Sequence, residues 1–189
     1  LLSQNVSPGI LIFRKDFIKY LLSLNHQVYC FAIDYTEETK NLVRELGAIP
    51  IDYNLEKTGL NPFRDIFDTF LLAKKFKDLD ADVVFSFFIK PSIYGSIAAA
   101  LSGVPRCIAM LEGLGYIYTP VRGKLVFKKK ILQFVHGILS TIAFKFVDKV
   151  LFLNADDPRD LSRMSYPRFV EQYTKIIKNA CSMLKPDSF

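Results

Sequence analysis

Four short stretches of this 189-residue chain hold residue types suited to gripping a polar ligand. The first is Asn5-Val6-Ser7-Pro8-Gly9, just ahead of a helical pattern. Pro8 and Gly9 let the backbone close on a ligand, and a helix start behind them favours a negative group. The stretch lacks the G-x-G-x-x-G spacing, so dinucleotide binding is disfavoured and an ordinary tight turn is the plain alternative. The second is Phe87-Phe88-Ile89-Lys90-Pro91-Ser92-Ile93-Tyr94-Gly95. Lys90 stands before an expected helix start with Pro91 in its first turn. Its ammonium can reach a phosphate or carboxylate, or simply stand in solvent. The third stretch, Leu111-Glu112-Gly113-Leu114-Gly115-Tyr116-Ile117-Tyr118-Thr119, sets one carboxylate among glycines and hydroxyls. Glu112 there suits sugar recognition or proton transfer. The fourth carries Asn154, Asp156 and Asp157, which suit helix capping equally well.

Other chemistries are disfavoured. His26 and His136 have no Ser, Cys or Asp partner in view, so no hydrolase triad is supported. Cys30, Cys107 and Cys181 are far apart, with no C-x-x-C or Cys/His cluster, so neither zinc nor a disulfide framework is expected. The plain reading is a reducing compartment.

The elements that must position these stretches alternate. Continuous apolar runs at Val28–Ile33, Ala48–Ile51, Asp82–Ser86, Arg106–Met110 and Val150–Leu153 predict strands covered on both faces, as in a parallel sheet. Between them lie helical patterns. One has Phe13, Phe17, Leu21 and Leu24 along a face; another runs from Glu37, after the capping residue Thr36, to a stop at Gly47. Pro62–Lys77 places Phe63, Ile66, Phe67, Phe70 and Leu71 on one side, and Pro91–Ser102 ends at Gly103. A long helix is expected over Arg122–Phe146. Strand and helix in alternation predict an α/β fold: a Rossmann-like, doubly wound, mostly parallel sheet with helices on both faces. Leu1–Gln4 is long enough only for the end of a strand, which points to residues upstream of Leu1. No charged-then-apolar signal segment is visible.

Charge is uneven. Residues 120–149 hold seven of the 25 Lys and Arg and one of the 19 acids, and so account for the whole net charge of +6. Within them Arg122, Lys124, Lys128, Lys129 and Lys130 interleave with Leu125, Val126 and Phe127. Such a cluster suits an anionic membrane surface better than nucleic acid, since no recognition helix or stacking platform accompanies it. A solvated helix start is the plain alternative. Ile131–Phe146 is apolar but polar-interrupted, and shorter than the roughly 20 residues a span requires.

Read in order, Phe13-Arg14-Lys15-Asp16-Phe17-Ile18, Asn25-His26-Gln27-Val28-Tyr29, Lys57-Thr58-Gly59-Leu60-Asn61-Pro62, Phe88–Gly95 and Glu112-Gly113-Leu114-Gly115-Tyr116 resemble the N-terminal domain of family-4 glycosyltransferases. The most similar subgroup adds N-acetylgalactosamine or a related sugar to undecaprenyl-diphosphate-linked saccharides in bacteria. The resemblance covers 1–157 and implies one acceptor-side half of a GT-B fold. It implies sugar transfer with retention, no metal, and no cofactor beyond a nucleotide-sugar donor such as a UDP-sugar. It also implies a lipid-linked saccharide acceptor and a cytoplasmic location, peripheral at the inner face of the membrane. Acceptor or phosphate contacts are then expected from Pro8, Gly9, Arg14, Lys90, Tyr94, Glu112, Gly113, Gly115 and Tyr116. Many relatives carry a histidine where this chain has Glu112, so no catalytic histidine is carried over and Glu112 is the one catalytic candidate. The C-terminal donor-binding domain is missing from the pattern. Residues 158–189 instead resemble a piece of an S-adenosylmethionine-dependent DNA methyltransferase, with Phe169, Tyr173, Ile176 and Ile177 on a helical face. They read as a helical tail joined near Asp156-Asp157-Pro158. A non-catalytic binding module and a methyltransferase fragment are the competing readings.

Overall fold

The computed structural model describes residues 2–3, 7–55, 62–113 and 125–153. Along the chain run β1 (Leu2–Ser3), α1 (Ser7–Phe13), α2 (Lys15–Ser23), β2 (Tyr29–Ala32), α3 (Glu37–Glu45) and β3 (Ile49–Asp52). Then follow α4 (Pro62–Asp78), β4 (Val83–Phe87), α5 (Ile89–Ser102), β5 (Arg106–Leu111), α6 (Leu125–Ala143), a 3-10 turn (Phe144–Phe146) and β6 (Lys149–Phe152). The strands form one sheet in the order β3-β2-β1-β4-β5-β6, parallel at every pairing. The expected Rossmann-like winding is therefore present, and each predicted apolar run holds a strand, with ends shifted by a residue or two.

Alternation along a strand sends successive side chains to opposite faces. Phe31 of β2 enters the layer built by α4, α5 and α6, with Phe76, Val84, Ile93 and Val150. Cys30 and Ala32 enter the layer of α1, α2 and α3, with Ile10, Ile18, Val43 and Phe87. The α3 start follows the sequence: Thr36 and Thr39 cap each other, with Thr39 N–H donating to Thr36 Oγ1 at 3.2 Å and Thr36 N–H to Thr39 Oγ1 at 2.9 Å. Burial pushes the Cys30 thiol up to about 12, which keeps it protonated and unreactive at neutral pH.

Two helices depart from the expected faces, the first in part and α4 more fully. The first helical pattern is bent at Arg14, although Arg14 N–H still donates to Ile10 O (3.1 Å) and Ile18 N–H to Arg14 O (2.8 Å). The fully buried row is Ile10, Arg14 and Ile18; of the expected face, Phe17 and Leu21 are half-buried and pack against the same core, while Phe13 and Leu24 are exposed. In α4 the expected apolar face is also outward, with Ile66, Phe67, Phe70 and Leu71 exposed. The buried side is Asp65, Asp68, Thr69, Leu72, Ala73 and Phe76. Partners on neighbouring elements decide this phase. Phe76 meets Phe31 edge-on at 5.4 Å, and Asp65 finds donors on α5.

α5 lies close on β4 because position 95 is glycine. A Cβ added at Gly95 would meet Ser86 Oγ at 2.5 Å, while Ser86 Cβ would stand at 3.6 Å. The Gly95→Ala variant is expected to lose about 1–3 kcal/mol, the usual cost of overpacking. Adding Ser86→Ala removes the clashing oxygen and restores most of that loss. Urea titration of the two singles and the double measures the coupling, and plain additivity would show the clash to be unimportant.

Candidate functional site

The strand order reverses between β1 and β4, so the crevice for a ligand lies beyond their C-terminal ends. The chain leaves β4 through a strained turn. Phe88 has φ +67° and ψ 160°, a region that costs a non-glycine residue about 1–3 kcal/mol. Its N–H donates to Met110 O at 2.9 Å, and its carbonyl accepts from Ser92 N–H at 3.0 Å. Both bonds hold the turn and start α5 at once.

That early start corrects the loop placement expected for Lys90. Lys90 lies in the first turn of α5 and is buried. Its Nζ stands 3.1 Å from Asp65 Oδ2, and Tyr94 OH donates to the same oxygen at 3.1 Å. Burial, and then the Asp65 charge, push the Tyr94 phenol well above its ordinary value. Lys90 and Tyr94 thus join α5 to α4, with Asp65 as the hub that the sequence did not single out.

Arg14 and Glu112, 98 positions apart, meet directly: the guanidinium Nη2 donates to Glu112 Oε1. Arg14 lies over the Phe87 ring, 4.0 Å from its centroid, which adds a cation–π contact to a nearly buried charge. Its Nε has no hydrogen-bond partner among the described residues. Gly113 follows at φ +106°, a conformation that lets the chain turn away directly after the carboxylate. The bend at Arg14, the end of β4 and the end of β5 therefore meet in one ion pair on an aromatic floor. A carboxylate fixed in this way can accept a hydrogen bond from a ligand hydroxyl at a defined position.

The remaining expected contacts are spread around this pair. Pro8 is exposed and Gly9 buried in the first turn of α1, whose Ser7 N–H donates to Asp34 Oδ1 at 2.6 Å. Gly115, Tyr116, Arg122, Lys124, Asn154, Asp156, Asp157 and the 158–189 tail lie outside the described residues. Lys128 and Lys129 lie on α6, and Lys130 is exposed there. One cavity of about 350 Å³ went unforeseen. It is lined by Ile33, Asp34, Tyr53, Asn54, Leu55, Arg64 and Asp68, beyond β2 and β3. The turns Ile33–Tyr35 and Tyr53–Leu55 hold no glycine or basic residue, so only their place at strand ends could have marked them. Among the described residues no His, Cys, Asp or Glu cluster could hold a metal ion, and no helix is long and apolar enough to cross a membrane.

A parallel sheet in this order, with polar side chains gathered at its reversal, defines a Rossmann-like, doubly wound domain. The crystal structure of Acinetobacter baumannii MurG has the same fold at TM-score 0.51 and 16% identity, over 82% of this chain and 41% of that one. The chain belongs to the glycosyl transferase 4-like family, whose model matches residues 1–154. It is 34% identical, over 151 residues, to the Campylobacter jejuni N,N'-diacetylbacillosaminyl-diphospho-undecaprenol alpha-1,3-N-acetylgalactosaminyltransferase. The match takes in 80% of this chain and 39% of that relative's length. The family expected from the motifs is thus the family found.

Proposed function

We propose that residues 1–157 form the acceptor-side half of a glycosyltransferase that moves a sugar from a nucleotide-sugar donor, such as a UDP-sugar, to an undecaprenyl-diphosphate-linked saccharide. The Arg14–Glu112 pair at the sheet's reversal carries this reading, in a chain 34% identical to a transferase named for such an acceptor. In the reaction the bond between the anomeric carbon and the donor diphosphate breaks. A bond from that carbon to an acceptor oxygen forms with retained configuration, and the proton of the acceptor hydroxyl passes to the leaving diphosphate oxygen. Glu112 accepts the hydrogen bond of that hydroxyl and Arg14 holds Glu112 still, while Pro8, Gly9 and Gly113 shape the crevice. The nucleotide-sugar site belongs to the donor-facing half of a GT-B fold, and the protein works peripherally at the inner face of the cytoplasmic membrane.

Calorimetric titration with a water-soluble, short-chain polyprenyl-diphosphate saccharide tests the reading. Binding is expected, and Glu112→Gln should weaken it about tenfold or more, since a hydrogen bond to a charged group contributes about 1.5–3 kcal/mol. Equal affinity of the variant would remove Glu112 from the site. Binding of S-adenosylmethionine in place of the saccharide would favour a methyltransferase fragment.

A further inference from the structure

The cavity of about 350 Å³ beyond β2 and β3 has walls from three elements that are tied in place. At the end of β2, the Asp34 carboxylate is pinned by Ser7 N–H at 2.6 Å, so this wall is continuous with the start of α1. At the end of β3, Tyr53 N–H donates to Ala32 O at 3.2 Å, and the Tyr53 ring meets Phe31 edge-on at 6.1 Å. From α4 come Arg64 and the buried Asp68, with Nε 3.9 Å from Oδ2. Asn54 also lines the cavity and is exposed.

The lining selects a chemistry. Two carboxylates against one guanidinium give it a negative balance, which repels a diphosphate. Carboxylates, a carboxamide and a guanidinium together accept from and donate to hydroxyl and acetamido groups. Ile33 and Leu55 add apolar wall for the C–H face of a ring. The volume is at the small end of ligand cavities, which suits one ring and not a chain of them. Position adds a second constraint. Glu112 directly follows β5, and β5 lies three steps from β2 in the sheet order. At about 4.8 Å per step the cavity and Glu112 are separated by on the order of 14 Å. A single sugar ring is too short to touch both.

We propose that this cavity is a subsite for an inner sugar of the acceptor, and that the acceptor therefore carries more than one sugar. The outermost sugar presents its hydroxyl to Glu112, a ring nearer the lipid fills the cavity, and the diphosphate stays outside it. The inference rests on the lipid-linked acceptor reading and adds a length requirement to it.

The test titrates the full 189-residue chain calorimetrically with water-soluble, short-chain polyprenyl diphosphates carrying one, two or three N-acetylhexosamine rings. Affinity should rise about tenfold or more from the one-ring to the three-ring compound, the size of effect that a hydrogen bond to a charged group gives. Asn54→Ala and Asp68→Asn should bring the three-ring affinity down to the one-ring value. Where the buried Asp68→Asn lowers the melting temperature, Asn54→Ala decides, because Asn54 is exposed. Equal affinity for all three compounds, or a full three-ring affinity in Asn54→Ala, overturns the subsite and leaves the acceptor reading standing. No binding of any compound overturns both. UDP-N-acetylgalactosamine distinguishes the other source of a sugar ring: binding that Asn54→Ala weakens would give the cavity to the donor and overturn the inference.

Discussion

The 189-residue chain by itself will transfer no sugar at a measurable rate, even with saturating nucleotide sugar and acceptor. In a GT-B enzyme the donor lies between two facing domains, and this chain spans 39% of the length of the transferase it matches. Charge develops on the leaving diphosphate in the transition state, and fixed donors are needed to receive it there. Loss of even one such donor typically costs about 100- to 1000-fold in rate. Loss of a whole set, together with the positioning of the donor sugar, takes the reaction below detection. A radiolabelled-sugar transfer assay checks this, and measurable turnover by the purified chain would sink it. Acceptor binding should survive, because Arg14, Glu112 and Phe87 all belong to this half.

The second large effect is on stability. Replacing Asp65 with Ala should destabilise the domain by about 3–5 kcal/mol, because it leaves the buried Lys90 ammonium without its carboxylate. Tyr94 OH loses its acceptor in the same step. A loss of that size corresponds to a fall in melting temperature on the order of 10 °C for a domain of this length. The loss belongs to the broken buried ion pair and not to the missing side-chain volume. Asp65→Ala combined with Lys90→Met should therefore recover most of the stability, as removal of a whole buried pair generally does. Thermal melts of the wild type, both singles and the double decide the matter. A mild Asp65→Ala, or a double no better than the single, would show that Lys90 finds enough compensation elsewhere.

What could be read from the residues themselves is whatever depends on local pattern. Continuous apolar runs such as Asp82–Ser86 marked buried parallel strands, since a strand covered on both faces leaves no polar face to alternate with. Thr36 and Gly47 marked the ends of α3, because capping is decided within one helical turn. The ordered motifs also carried the family, and the GT-B half followed from it. The phase of the helices was not readable in this way. Both α2 and α4 hold apolar residues on more than one side, so the composition alone permits either face inward. The choice fell to partners distant in the chain: Glu112 and Phe87 draw Arg14 in, and Lys90 and Tyr94 draw Asp65 in. For the same reason Lys90, which looks like an exposed anion binder in the sequence, is buried against a carboxylate 25 positions earlier. The sequence by itself determined which residue types stand at the ends of the strands. Which of them face one another was decided only in the tertiary structure, because ion pairing acts across space and two charges on separate helices have no local signature.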